Sequence, residues 1–142
     1  MAASIVEQIR RNLVAYISLF IAIAALSYNT WRNEVTEDNR NVRAAGFEIL
    51  LNLGELQQIV FFGHYDRDAT RGNPRAGWAR VLLLQDLSTI MPPTVGAASD
   101  SLAATWADDW PGLGDDDASA RRISNAIDGA RAATLAALAE LD

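Results

Sequence analysis

The longest unbroken apolar stretch lies near the N-terminus. Positions 13–28 run Leu-Val-Ala-Tyr-Ile-Ser-Leu-Phe-Ile-Ala-Ile-Ala-Ala-Leu-Ser-Tyr without a charge. As a helix, those sixteen residues reach about 24 Å, short of a hydrocarbon core about 30 Å thick. Extension through Asn29 to Trp31 closes the gap and predicts one transmembrane helix over 13–31, behind a short leader at 1–12. Tyr28 and Trp31 fall where an interfacial aromatic belt sits, and Arg10 and Arg11 can snorkel at the opposite end. These four are the candidate anchor residues. Two other readings of the run stay open. One is a cleaved signal peptide, with Ala22-Ile23-Ala24 or Ala25-Leu26-Ser27 as a small-x-small site. The other is a buried soluble helix, which rarely stays uncharged for so long between Arg-Arg and Tyr/Trp.

One stripe of this span is built from small side chains. Ala15, Ser18, Ala22 and Ala25 are spaced by three, four and three residues and line up on one helix face. Small residues let a second helix approach closely in lipid. The stripe is therefore a candidate helix–helix contact inside the membrane, although the abundance of alanine in the chain explains it too.

Beyond the span, Val35, Val42, Ile49 and Leu56 recur every seven residues, supported by Ala45, Leu53, Ile59 and Val60. No proline interrupts them, so the anchor helix is expected to continue to about Phe62. Residues 32–41 are polar apart from Val35 and read as a solvated helical stalk. From Phe47 to Phe62 the helix is apolar nearly all round and reads as the central helix of a bundle occupying 42–142. Gly46 and Gly54 interrupt this stretch at about 1 kcal/mol each against alanine.

A loop follows, from Gly63 to Asn73, where Asn73 can cap a helix with Pro74 in its first turn. That second helix is expected to run to about Met91, with Trp78, Val81, Leu82, Leu84 and Leu87 as its apolar positions, and to stop at Pro92-Pro93. Thr94 can cap a third helix bearing Val95, Ala98, Leu102 and Trp106, ended by Trp110-Pro111-Gly112. Asp115, Asp116 and Asp117 precede a fourth, carrying Ile123, Ile127, Ala130, Thr134, Leu138 and Leu141. No segment alternates like a strand. The predicted fold is all-α: a single N-terminal transmembrane helix continuing into a small up-down-up-down four-helix bundle. In outline it is similar to small single-pass bacterial envelope proteins and to helical sensor domains of membrane receptors, without a matching family motif.

Composition narrows the functions. All 12 basic residues are arginine, which reads as the codon bias of a GC-rich genome. Arg10, Arg11 and Glu7 precede the apolar run, leaving ten arginines against seventeen acids, a net of −7. An acidic body argues against nucleic acid and against lying flat on anionic lipid. There is no cysteine, hence no disulfide or thiolate metal site. Arginines flank the span on both sides, so the orientation is weakly determined; a short Arg-Arg leader before a single span favours the bundle outside the inner membrane.

Candidate chemistry is sparse. His64 is the only histidine, in a turn with Tyr65, Asp66 and Asp68, and the bland reading is loop chemistry. The aspartates at 115–117 lack the EF-hand spacing and suffice as helix-start residues. Of Trp106 and Trp110, one ring is expected in the core and one at the bundle end. Phe61, Phe62, His64, Tyr65, Trp78 and Trp110 form a candidate partner surface at the loop end. Glu48 and Glu55 share a face and could pair for acid–base work, or could instead face arginines of helix two or four. No nucleophile motif, phosphate loop or metal-protease pair is present, so neither catalysis nor a metal or cofactor is expected. The leading expectation is a non-enzymatic accessory, scaffolding or interaction protein, whose partners are the lipid bilayer and another membrane protein or a second copy. The alternative is a membrane-anchored sensory or ligand-binding bundle. A polar cavity reaching Glu48, Asn52 or Glu55 would favour the latter; a filled core favours the former.

Overall fold

The computed structural model describes residues 12–141, so the leader positions Arg10 and Arg11 lie outside the described residues. Four α-helices follow one another: α1 Leu13–His64, α2 Pro74–Ser88, α3 Pro93–Asp109 and α4 Asp117–Ala139, with a 3₁₀ turn at Trp110–Gly112. Among the described residues there is no strand. The fold is all-α.

The chain divides into two compact units, Met1–Asp38 and Asn39–Asp142, and α1 contributes to both. In the first unit the described side chains of α1 are exposed. This part of the helix is long and apolar enough to cross a membrane by length and composition. Two of its hydroxyls turn back onto the backbone: Thr30 Oγ1 donates to Leu26 O at 3.0 Å and Thr36 Oγ1 to Arg32 O at 2.8 Å.

The second unit is the bundle, and its register follows from cross-helix pairs. On α1 and α4, Gly46 lies against Leu138, Gln57 Nε2 donates to Ser124 Oγ, and His64 meets Asp117. Residue numbers rise on one helix as they fall on the other, so the two are antiparallel. The same holds for α2 and α3, where Gly77 abuts Trp106 and Gln85 Nε2 donates to Asp100 Oδ1. Together with the α3–α4 packing this gives an up-down-up-down ring closed by α4 on α1. The core holds Ile49, Leu53, Leu56 and Val60 of α1, Val81 and Leu84 of α2, Val95, Leu102 and Trp106 of α3, and Ile123 and Ile127 of α4. Trp106 is completely buried, against a glycine: a Cβ on Gly77 would overlap its ring. Trp110 is half-buried at the bundle end.

The helix starts follow local chemistry. Asn73 Oδ1 accepts from Arg75 N at 3.0 Å, with Pro74 opening α2. Asp116 caps α4, accepting from Ala118 N at 3.1 Å and Ser119 N at 3.0 Å. Three expectations are corrected. First, α2 ends at Ser88 rather than near Met91. Thr89 Oγ1 and N both turn back onto Asp86 O, and Ile90 and Met91 continue in three-residue turns, because a residue before proline is disfavoured in the α region. Second, Thr94 does not cap α3; Pro92 takes that position without a side-chain bond, and Pro93 is the first helical residue. Third, α1 is not a central helix. Phe47 and Leu51 are 60 % and 58 % exposed, and Leu82 of α2 is also exposed. In a ring of four, neighbours cover one side of each helix and leave an outer face.

Candidate interaction surfaces

The candidate membrane residues sit on α1 as their spacing dictates. Ala15, Ser18, Ala22 and Ala25 are all exposed. Tyr28 and Trp31 lie three residues apart on neighbouring turns, with ring centroids 6.0 Å apart. Such a pair supplies amphipathic surface at one end of the apolar stretch.

The six residues of the candidate partner surface have different environments. Trp78 and Trp110 pack against the core. Phe62 is half-buried beneath Arg71, whose guanidinium carbon lies 4.0 Å from the ring centroid. His64 Nδ1 lies 2.9 Å from Leu113 O, and Nε2 lies 3.0 Å from Asp117 Oδ1. A carbonyl only accepts, so Nδ1 carries the hydrogen that Leu113 O accepts. The histidine thus ties the end of α1 to the start of α4. Phe61 and Tyr65 are exposed, with centroids 5.9 Å apart.

Two exposed residues of the same helix, Phe47 and Leu51, escape a sequence reading. In a helix that is apolar nearly all round, residue type alone does not separate them from the core. Their phase was the available signal, because both fall opposite the Ile49, Leu53, Leu56 and Val60 stripe.

Several charged groups of the bundle pair across helices. Arg80 bridges α2 to α1, donating to Asn52 Oδ1 at 2.9 Å and pairing with Glu55 at 2.6 Å. Asn52 is buried and returns its Nδ2 to Glu48 O at 2.9 Å and Glu48 Oε1 at 3.3 Å. Arg122 grips buried Asp109 through Nε, 3.0 Å from both carboxylate oxygens, and through Nη2 on Oδ1, and Ser119 Oγ adds a third donor. The Arg122 guanidinium holds the Asp109 carboxyl below the usual carboxylate range against the opposing cost of burial. The Asp116 carboxyl is also lowered, first by the Ser119 hydroxyl and then by the amides it caps. In the loop, hydrogen bonds from Arg71 N and side chain and from Thr70 N bring Asp68 down to about 2. Among the described residues, no three of His, Asp and Glu gather as metal ligands.

Three spaces bear on ligand binding, one of them an open groove of about 580 Å³ between α3 and α4 lined by Thr105, Asp108, Asp109, Arg122 and Asn125. Between the helices, a void bounded by Leu53, Leu84, Ser99, Leu102 and Thr134 measures about 10 Å³, room for a single water, and does not reach Glu48, Asn52 or Glu55. At the loop end an open cleft of about 290 Å³ is lined by Gly63, Arg67, Gly72, Pro74, Leu113 and Asp115. Arg67 stands there in a left-handed backbone conformation, φ 53°. No protein-family model matches the chain, and no curated protein or solved structure is similar to it.

Proposed function

We propose that the protein is a single-pass membrane-anchored, non-enzymatic accessory or scaffolding subunit of a bacterial membrane complex. The observation that carries this reading is the filled core. A sensory bundle needs space between its helices, and the void there has room for one water. The polar residues best set to line a larger site, Glu48, Asn52 and Glu55, instead satisfy each other and Arg80. Ligand-sized space is found in the cleft at the loop end and in the groove between α3 and α4, and both are open to solvent.

In this reading the anchor lies in the inner membrane with the bundle on the periplasmic side. Contacts to the complex run through the Ala15, Ser18, Ala22 and Ala25 stripe and through the exposed surface of the bundle. Purification in mild detergent, followed by identification of what co-purifies, tests the subunit role; a lone monomer refutes it. The substitution Ala22→Leu should weaken association within the membrane, and unchanged association would remove the stripe from the interface. The chain lacks cysteine. A single cysteine at exposed Ala132, probed with a membrane-impermeant thiol reagent, therefore reports the side: labelling in intact spheroplasts is expected, and labelling only after lysis would reverse the orientation.

A further inference from the structure

Three hydroxyls stand around the small void between the helices: Ser88 of α2, Ser99 of α3 and Thr134 of α4. All three residues are buried, at most 7 % exposed. Two of the hydroxyls already use their hydrogen. Ser88 Oγ donates to Gln85 O and Thr134 Oγ1 to Ala130 O, each at 2.8 Å. What these two oxygens retain is lone pairs, which can only accept. Ser99 is the opposite case. Its hydroxyl is buried with no hydrogen-bond partner among the described residues, so it keeps its donor. A helical serine can satisfy itself on the carbonyl four residues back, as Thr134 does, but Ser99 does not. A buried hydroxyl left in that condition is destabilising, and a partner within the void would remove the cost.

We propose that this void is a binding site for a single structural water, which ties α2, α3 and α4 together inside the core. The hydrogen-bond inventory selects the ligand. Ser99 offers a donor, and Ser88 and Thr134 offer acceptors. A water accepts the first and donates its two hydrogens to the others. That makes about three hydrogen bonds, the usual number for a buried water. The volume of about 10 Å³ lies at the lower end of what one water needs and admits nothing larger. None of the lining residues is charged, which excludes an ion, because a charge there would be desolvated without a counter-charge. Voids that stay dry are apolar, and this one carries three hydroxyls. The bridge also has a consequence for register. Sliding one helix by a turn moves its hydroxyl about 5.4 Å along the axis and off the water. The site stands independently of the membrane anchorage and of the subunit role.

The full-length chain in mild detergent tests it in two ways. Oxygen-17 relaxation dispersion of the solvent counts waters held for longer than the protein tumbles, and exchanging hydroxyl protons do not disturb it. Recorded over a range of temperatures, it should show one long-lived water fewer in Ser99→Val than in wild type, because the valine fills the void and offers no donor. Thermal unfolding gives the second reading. Ser101→Ala, at an exposed position of the same helix, reports the propensity that alanine gains over serine. Relative to that control, Ser99→Ala should melt lower by about 4–8 °C, because the water loses a hydrogen bond. In a dry void the same substitution deletes an unpaired polar group, and the midpoint stays level with the control or rises above it. An unchanged number of long-lived waters in Ser99→Val, or a midpoint for Ser99→Ala at or above that of Ser101→Ala, would each overturn the proposal.

Discussion

Glycine at two helix-interior positions offers a sharp test of the packing. Alanine in place of glycine gains about 1 kcal/mol of helix propensity and of unfolded-state entropy wherever the methyl group has space. Gly54 has that space, with nothing within 4 Å of a Cβ. Gly77 does not, because its Cβ would overlap the six-membered ring of Trp106. That ring is fully buried, planar and enclosed by other helices, so it cannot swing aside as an exposed side chain would. Overpacking a filled core costs about 1–3 kcal/mol and sometimes more. At Gly77 it should exceed the propensity gain and leave a net loss of about 1–2 kcal/mol. For a bundle of this size, 1 kcal/mol moves the midpoint by about 4–8 °C. Thermal unfolding of the full chain in mild detergent reads both variants by tryptophan fluorescence and circular dichroism. Gly54→Ala is expected to raise the midpoint by a few degrees and Gly77→Ala to lower it. A rise in both would refute the seating of Trp106 on Gly77, and with it the α2–α3 register.

The remaining predictions concern polar groups. Asp109 has a folded-state carboxyl below its unfolded value, so its contribution is fully present above about pH 4 and is lost as acid titrates the folded group. Wild-type melting temperature should therefore fall more steeply than that of Asp109→Asn between about pH 5 and pH 2, and parallel slopes would count against the Arg122 grip. At neutral pH, Asp109→Ala should cost about 1–2 kcal/mol, less than a fully buried pair, because half-exposed Arg122 can turn to water. His64→Ala should loosen the junction of α1 with α4 by about 1 kcal/mol, seen as faster amide exchange at Leu113 and over the first turn of α4.

Much of this architecture follows from local rules that the sequence carries by itself. An uncharged run longer than any other in the chain marks the segment fit for a membrane. Asn73-Pro74 and the aspartates at 115–117 mark helix starts and Pro92-Pro93 marks a helix boundary, because caps and prolines act within a few residues of themselves. Seven-residue spacing finds the stripe that α1 buries. What only the tertiary structure decided is everything that depends on the number and register of neighbours. Periodicity marked the stripe that α1 buries but not that its equally apolar opposite face would stay uncovered, because a ring of four covers one side. Nor could it match Arg80 with Glu55, Arg122 with Asp109 or His64 with Asp117, since those partners lie on different helices and meet only when the antiparallel registers are set. Phe47, Leu51 and Phe61 were legible as hydrophobic; that they face outward is a property of the assembled bundle.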